Sequence, residues 1–497
     1  MANTSERTAK LEAIAQRNTA EAARAKEAEA RKTAETVTDY LVEAFRSPDP
    51  ARDGREITIA ETLDQMTSTM DESLADQPLV KARLLNAIGR SYSGLGLPKK
   101  AIDVLEEAIR LRTARLDQDH PDTLTTMNNL ADAYAKARQF DKALPLFELT
   151  LQRIKTKLGE DHPHTLAVMN NLAVTYQAAG RLEQAIPILE EALRGAEKKL
   201  GKEHPQTLGS MGNLASGYKR AGHLDKAVPL FEKTLQLRRK HLGDDHPNTL
   251  NSMNNLARAY QAADRLDDAM PLFNDTLRMR REKLGYAHPD SHQSANNLAE
   301  AFKALGQADN VVRVRDETLR LEKQHLPEDH PLIVKSMGNL VIAYMEAIRL
   351  DQALEALREF EEKNGAESLV ALQLVNNLAV RYRSQGELDK ALSLFEESLQ
   401  RSRRQLGQDH PQTLTVMINQ AQALEKARRL VEAEALTREC LTIQKEKMPD
   451  HWLRFIAASV LERAAGAEKV QRSRAGTDRS LPGTEATRNA DVGQSRP

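Results

Sequence analysis

The side chains best equipped for chemistry in this 497-residue chain recur on a fixed spacing. A His-Pro pair stands at His120, His162, His204, His246, His288 and His330, each 42 residues after the last, and again at His410. Imidazoles ligate metals, but a metal holds its ligands at about 2 Å. Histidines of successive repeat copies would sit on helices about 8–10 Å apart. They are therefore expected to pack or cap the turn before each proline, beside Asp119, Asp161 and Asp245. No metal and no other cofactor is expected.

A second column consists of carboxamides: Asn129, Asn171, Asn213, Asn255, Asn297, Asn339, Asn377 and Asn419. Asparagine is a mediocre helix former, yet it holds one position through eight copies. A carboxamide donates and accepts at once, so the column could grip the backbone of an extended peptide. The competing reading has each asparagine bond to a neighbouring helix or turn and lock the stacking. The residues alone leave both open. The preceding position reads Asn128, Asn170, Gly212, Asn254, Asn296, Gly338, Asn376 and Ile418. It lies about 100° away around a helix, so a separate role is expected for it.

A third, variable column is the better candidate for reading a partner's side chains: Ala135, Gln177, Lys219, Gln261, Lys303, Met345, Arg383 and Glu425. Arg220 and Arg258 add positive charge nearby. This pattern predicts a preference for an acidic or polar extended segment; an ordinary solvated face is the plain alternative. Cys440 has neither a repeated His partner nor a nucleophile motif and reads as a buried or half-buried inert thiol. No carboxylate pair, Ser/His/Asp set or phosphate loop stands out, so no enzyme is expected.

The elements that carry these columns follow from the 42-residue period. Segments such as MNNLADAY (127–134), MNNLAVTY (169–176) and VNNLAVRY (375–382) recur, giving about nine units and an unfinished tenth from Trp452 to Ala465. A period of 20–50 residues signals a solenoid rather than independent globules. Each unit holds two helical patterns. In the first, Pro121 suits the opening turn, and Leu124, Met127, Leu130, Ala131 and Tyr134 follow at helical spacing. In the second come Ala143, Leu144, Phe147 and Leu151, and Gly159 is expected to form a left-handed cap. Stacked copies align a leucine, a small residue and an aromatic ladder on which seven of the nine tyrosines lie. No unit could bury this surface alone.

Charge and composition exclude several classes. Lys+Arg number 71 against 72 Asp+Glu, which argues against broad electrostatic capture of nucleic acid or anionic membrane. No apolar run approaches the roughly 20 residues that span a bilayer, and MANTSERTAK has no signal-peptide core. One cysteine permits no internal disulfide; the cytoplasm is the expected compartment. The sequence divides into a charged helix over 1–46, a linker and capping helix over 47–79, the array over 80–465, and a tail over 466–497 expected to be disordered. Residues 1–46 could form a coiled coil or a single helix docked on the first repeat. Oligomeric state is not readable.

The pattern Leu–small–x–x–Tyr, then Ala, Phe and a helix-end Leu, resembles the tetratricopeptide repeat (TPR). The longer second helix, NNLA in the first helix and LGxDHPxT between units make it similar to the repeats of kinesin light chains. That resemblance implies an all-α, right-handed superhelical solenoid of helix-turn-helix repeats whose first helices line a peptide groove contacted by the asparagines. The segments EAARAKEAEARKTAETVTDYLVEAF, ITIAETLDQ and PDHWLRF are similar to the region beyond the membrane anchor of some bacterial serine/threonine kinases, without the kinase or the anchor. The expected function is a non-enzymatic scaffold or adaptor that binds a protein or peptide partner. The alternative is a regulatory subunit coupling partner binding to an associated kinase or transcriptional regulator.

Overall fold

A computed structural model of the chain describes residues 58–286, 288–447 and 457–463. The segments 1–46 and 48–57, Trp452 and the tail beyond 466 lie outside the described residues. The chain forms two compact units, divided between Asp264 and Arg265.

The described part of the first unit consists of α1 (Ile59–Ser73), α2 (Pro78–Gly94), α3 (Pro98–Arg115), α4 (Pro121–Lys136), α5 (Phe140–Leu158), α6 (Pro163–Ala178), α7 (Leu182–Leu200), α8 (Pro205–Arg220), α9 (Leu224–Leu242) and α10 (Pro247–Ala262). The second unit contains α11 (Leu266–Leu284), α12 (Pro289–Ala304), α13 (Ala308–His325), α14 (Pro331–Glu346), α15 (Leu350–Asn364), α16 (Leu369–Gln385), α17 (Leu388–Leu406), α18 (Pro411–Lys426) and α19 (Leu430–Lys447). No strand occurs among the described residues. Within each unit every helix packs on the next from α2 onward. The even-numbered helices, the A helices of the repeats, also touch their neighbours α2 to α4, α4 to α6, α6 to α8 and α8 to α10, and likewise α14 to α16 and α16 to α18.

The recurring histidines explain where the A helices begin. His120 is extended, and its Nδ1 accepts a hydrogen bond from the Asp122 N–H at 3.1 Å. His162, His204, His246, His288, His330 and His410 do the same for the residue two further on. The ring thus takes the capping role usually filled by Ser, Asp or Asn, and the proline after it loses no bond. The A helix then ends at a residue with positive φ. The Gln139 N–H returns to the Tyr134 carbonyl at 2.9 Å, closing a Schellman turn through Arg138 at φ 60°.

The glycine that ends most of the B helices differs from the expected left-handed cap. Gly159 has φ 91° and ψ 163°, and Gly201, Gly243, Gly285 and Gly407 repeat this geometry. That region is open essentially to glycine alone. It swings the chain outward into the EDHP loop instead of curling it back, and the Thr165 hydroxyl ties the loop by donating to the Gly159 carbonyl at 2.7 Å.

The core runs between the helices. Phe147, Phe231, Phe273, Phe360 and Phe395 are fully buried, as are Ala143, Ala227, Ala269 and Ala391, one turn before four of them. The small position of helix A marks the closest approach. At Gly89 a Cβ would fall 2.5 Å from Leu105 Cγ on α3, too close for any side chain without repacking. Met66, Met70 and Leu74, from α1 and the residue after it, join the same cluster as the first repeat.

Candidate partner-binding surface

The A helices carry every residue that spacing singled out, and the structure divides them by what they already hold. The two asparagine columns are not separate. Asn129 Nδ2 donates to Asn86 Oδ1 at 2.9 Å, Asn171 to Asn128 at 3.1 Å, Asn213 to Asn170 at 3.3 Å and Asn419 to Asn376 at 3.1 Å. Each bond joins the main column of one repeat to the preceding position of the repeat before it. The 100° offset that suggested different roles is what lets one helix offer a donor to one neighbour and an acceptor to the other.

Glycine breaks this chain. Gly212 and Gly338 stand where Asn255 and Asn377 would find their acceptor, and neither side chain has a hydrogen-bond partner among the described residues. Asn377 is exposed and Asn255 half-buried. Asn339 is also unpartnered, because the carboxamide oxygen of Asn296 is taken by Arg315. Asn297 accepts from Gln293 at 3.0 Å.

Most of the variable column is committed internally. Gln177 is buried and donates to the Asn213 carbonyl at 3.2 Å; Gly217 makes room, since a Cβ there would stand 2.9 Å from Gln177 Nε2. Arg383 donates to the Asn419 carbonyl at 3.0 Å and to Gln422 Oε1 at 2.6 Å. Lys303 pairs with Glu346 at 2.7 Å, Met345 is buried, and Arg463 donates to Glu425 at 3.2 Å. Gln261 lies half-buried on α10.

Lys219 is different. It sits half-buried near the end of α8 with Arg258 of α10 and its neighbour Arg220, and no carboxylate comes within ion-pair distance of any of the three among the described residues. Burial first, and then the two guanidiniums, lower its ammonium from 10.5 to about 8. At neutral pH it therefore remains largely protonated. A half-buried cation beside two others is an unfavourable arrangement that an anion would relieve. Sequence placed Lys219, Arg220 and Arg258 in one neighbourhood; what it could not tell was that Gln177, Lys303, Arg383 and Glu425 already hold partners.

The remaining candidates play structural parts. Cys440 is fully buried, with its sulfur 3.9 Å from the Leu414 carbonyl, and burial raises its thiol to about 12. No group of three or more His, Cys, Asp or Glu side chains suited to a metal occurs among the described residues, and no described helix is long and apolar enough to cross a membrane.

A family model described as tetratricopeptide repeat matches residues 80–156, 122–198, 164–240, 206–282 and 370–446. Among solved structures, a putative kinesin light chain from Podosopora anserina with nearly identical TPR-like repeats is 31% identical over 41% of this chain and 97% of its own, with a TM-score of 0.36. BtubC from P. vanneervenii is 19% identical over 49% of this chain and 91% of its own, at 0.36. The apo form of RapI is 11% identical over 70% of this chain and 98% of its own, at 0.44. No curated protein matches the chain. Since the repeat model covers residues 80–282 and 370–446, more than half of the chain, the protein belongs to the tetratricopeptide repeat family.

Proposed function

We propose that the chain is a non-enzymatic scaffold whose A helices α8 and α10 receive an acidic extended segment of a protein partner. Repeats of this family mediate protein–protein interaction, and stacked helix pairs present long surfaces suited to extended chains. The observation that carries the reading is the uncompensated trio of Lys219, Arg220 and Arg258. The free carboxamide of Asn255 on α10 adds a group able to hold the partner's backbone. Lys303 was an equal candidate by sequence, but its charge is already matched by Glu346.

A peptide array tests this with a built-in contrast. The wild-type chain should retain acidic peptides over their amide counterparts. Lys219→Glu with Arg258→Glu should cost about tenfold or more in retention, the loss expected for removing charge-assisted bonds. Lys303→Glu should change little. Equal retention of acidic and amide peptides would defeat the proposal, as would a double charge reversal without effect.

A further inference from the structure

The tyrosine ladder changes its chemistry in the α12 repeat. In six repeats the ladder hydroxyl donates to a carboxylate of an earlier helix: Tyr92 to Asp64 at 2.8 Å, Tyr260 to Glu232 at 2.7 Å, Tyr382 to Asp351 at 3.1 Å, and Tyr134, Tyr176 and Tyr218 to Glu106, Glu148 and Glu190, whereas Tyr344 makes no such bond among the described residues and lies under Arg349. In the α12 repeat both partners change together. Phe302 replaces the tyrosine and Asn274 replaces the carboxylate, and Asn274 Nδ2 folds back onto its own helix at Met270 O, 3.0 Å away. A third change falls at the same spot. Pro145, Pro187, Pro229 and Pro271 occupy one position in four B helices, and Arg313 takes it in α13.

All three altered residues line one cavity of about 480 Å³ within the second unit. Its apolar floor is Leu277, Leu298, Phe302 and Val314, and four guanidiniums surround it: Arg278, Arg281, Arg313 and Arg320. Two of these are matched. Arg278 pairs with Asp275 and Glu282, and Arg281 pairs with Glu317 at 3.0 Å while stacking over Tyr286. Arg313 and Arg320 meet no carboxylate among the described residues. Two other cavities of the same unit, one against Tyr344 that shares Arg320 and one against Tyr382, have the opposite balance, each lined by two cations and three carboxylates. Position alone therefore does not explain the charge here.

We propose that this cavity binds a carboxylate carried on an apolar body, with Arg313 and Arg320 on the carboxylate and the body on Phe302 and its neighbours. The ligand's carboxylate would supply the negative charge that the ladder glutamate supplies elsewhere, and guanidinium forks suit carboxylates in particular. The volume lies in the range of small-ligand sites. The site is separate from α8 and α10, so it stands or falls independently of the scaffold reading.

The test uses the full chain and two probes in calorimetric titrations: 3-phenylpropionate, and an acetylated peptide ending in phenylalanine with a free carboxylate. Each is paired with its amide. Saturable binding of one or both carboxylates, with the amide about tenfold weaker or more, supports the proposal, and which probe binds tells a free organic acid from a chain terminus. The variant Asn274→Glu with Phe302→Tyr rebuilds the ladder seen in the other repeats. It should keep or raise the melting temperature and lose binding, and Arg313→Pro should weaken binding. No saturable binding of either acid, equal binding of the amides, or full binding by the rebuilt ladder would overturn it.

Discussion

At the scale of single residues, the ladder tyrosines do more than fill space, and their protons report it. Burial first, and then the bonded carboxylates, raise the phenols of Tyr92, Tyr134, Tyr176, Tyr218 and Tyr382 from 10.0 to about 12. The folded chain keeps these protons where the unfolded chain gives them up. Their contribution to stability is therefore intact below pH 10 and is lost as pH climbs towards 12. An absorbance titration should show these five ionising late together with Tyr344, whose phenol burial also raises, and denaturant midpoints should fall from pH 10 upward; ordinary phenol titration for all would contradict the bonded ladder. The sequence exposed the ladder but not its partners, because each carboxylate lies 28 or more positions away among charges that make up 29% of the chain. The same abundance hid a set of buried and half-buried arginines. Arg112, Arg238 and Arg280 reach across to Thr126, Ser252 and Ser294 at 2.6, 2.7 and 2.9 Å. Where the arginine is replaced by Ile154, the facing position becomes Val168. The match is not strict, since Ala196 and Glu322 take the arginine position opposite Ser210 and Ser336.

At the scale of elements, helix periodicity, the proline starts and the small-residue approach were all legible, since each rests on local spacing. Turn conformation was less so. The turn inside each repeat demands positive φ, met by Gly96, Gly180, Gly222, Gly306 and Gly386, and by Arg138, Asp264, Ile348 and Arg428 elsewhere. Ile348 is the costly case: a β-branched residue at φ 60° whose side chain is 62% exposed and gains little from packing. Left-handed backbone costs an ordinary residue about 1–2 kcal/mol, and glycine returns part of the gain as unfolded-state entropy. Ile348→Gly should raise stability by about 0.5–1 kcal/mol in urea unfolding. A loss would mean that the isoleucine packs on something outside the described residues. Leu214, buried on α8, tests the stacking itself. Leu214→Ala should cost about 2–5 kcal/mol, and an unmoved midpoint would show that the repeats do not lean on one another there.

At the scale of the whole molecule, the repeat that stabilises the fold also limits what it can bind with. Nearly every polar column the sequence offered as a binding surface is spent on holding neighbouring repeats together: the paired asparagines, Gln177, Arg383 and Lys303. On the proposed reading, binding falls where the repetition lapses, at the uncompensated Lys219 and at Gly212 opposite Asn255, a lapse that Gly338 repeats opposite Asn377. The sequence could not separate these from their siblings, because a column looks alike whether or not its members have met a partner. The most direct measurement is photo-cross-linking of the full chain with a diazirine-bearing acidic peptide, followed by mapping of the attached residues. The account predicts attachment on α8 and α10 around Lys219 and Arg258, abolished by reversing those two charges. Attachment confined to the B helices, or attachment on α8 and α10 that survives the reversal, would contradict it.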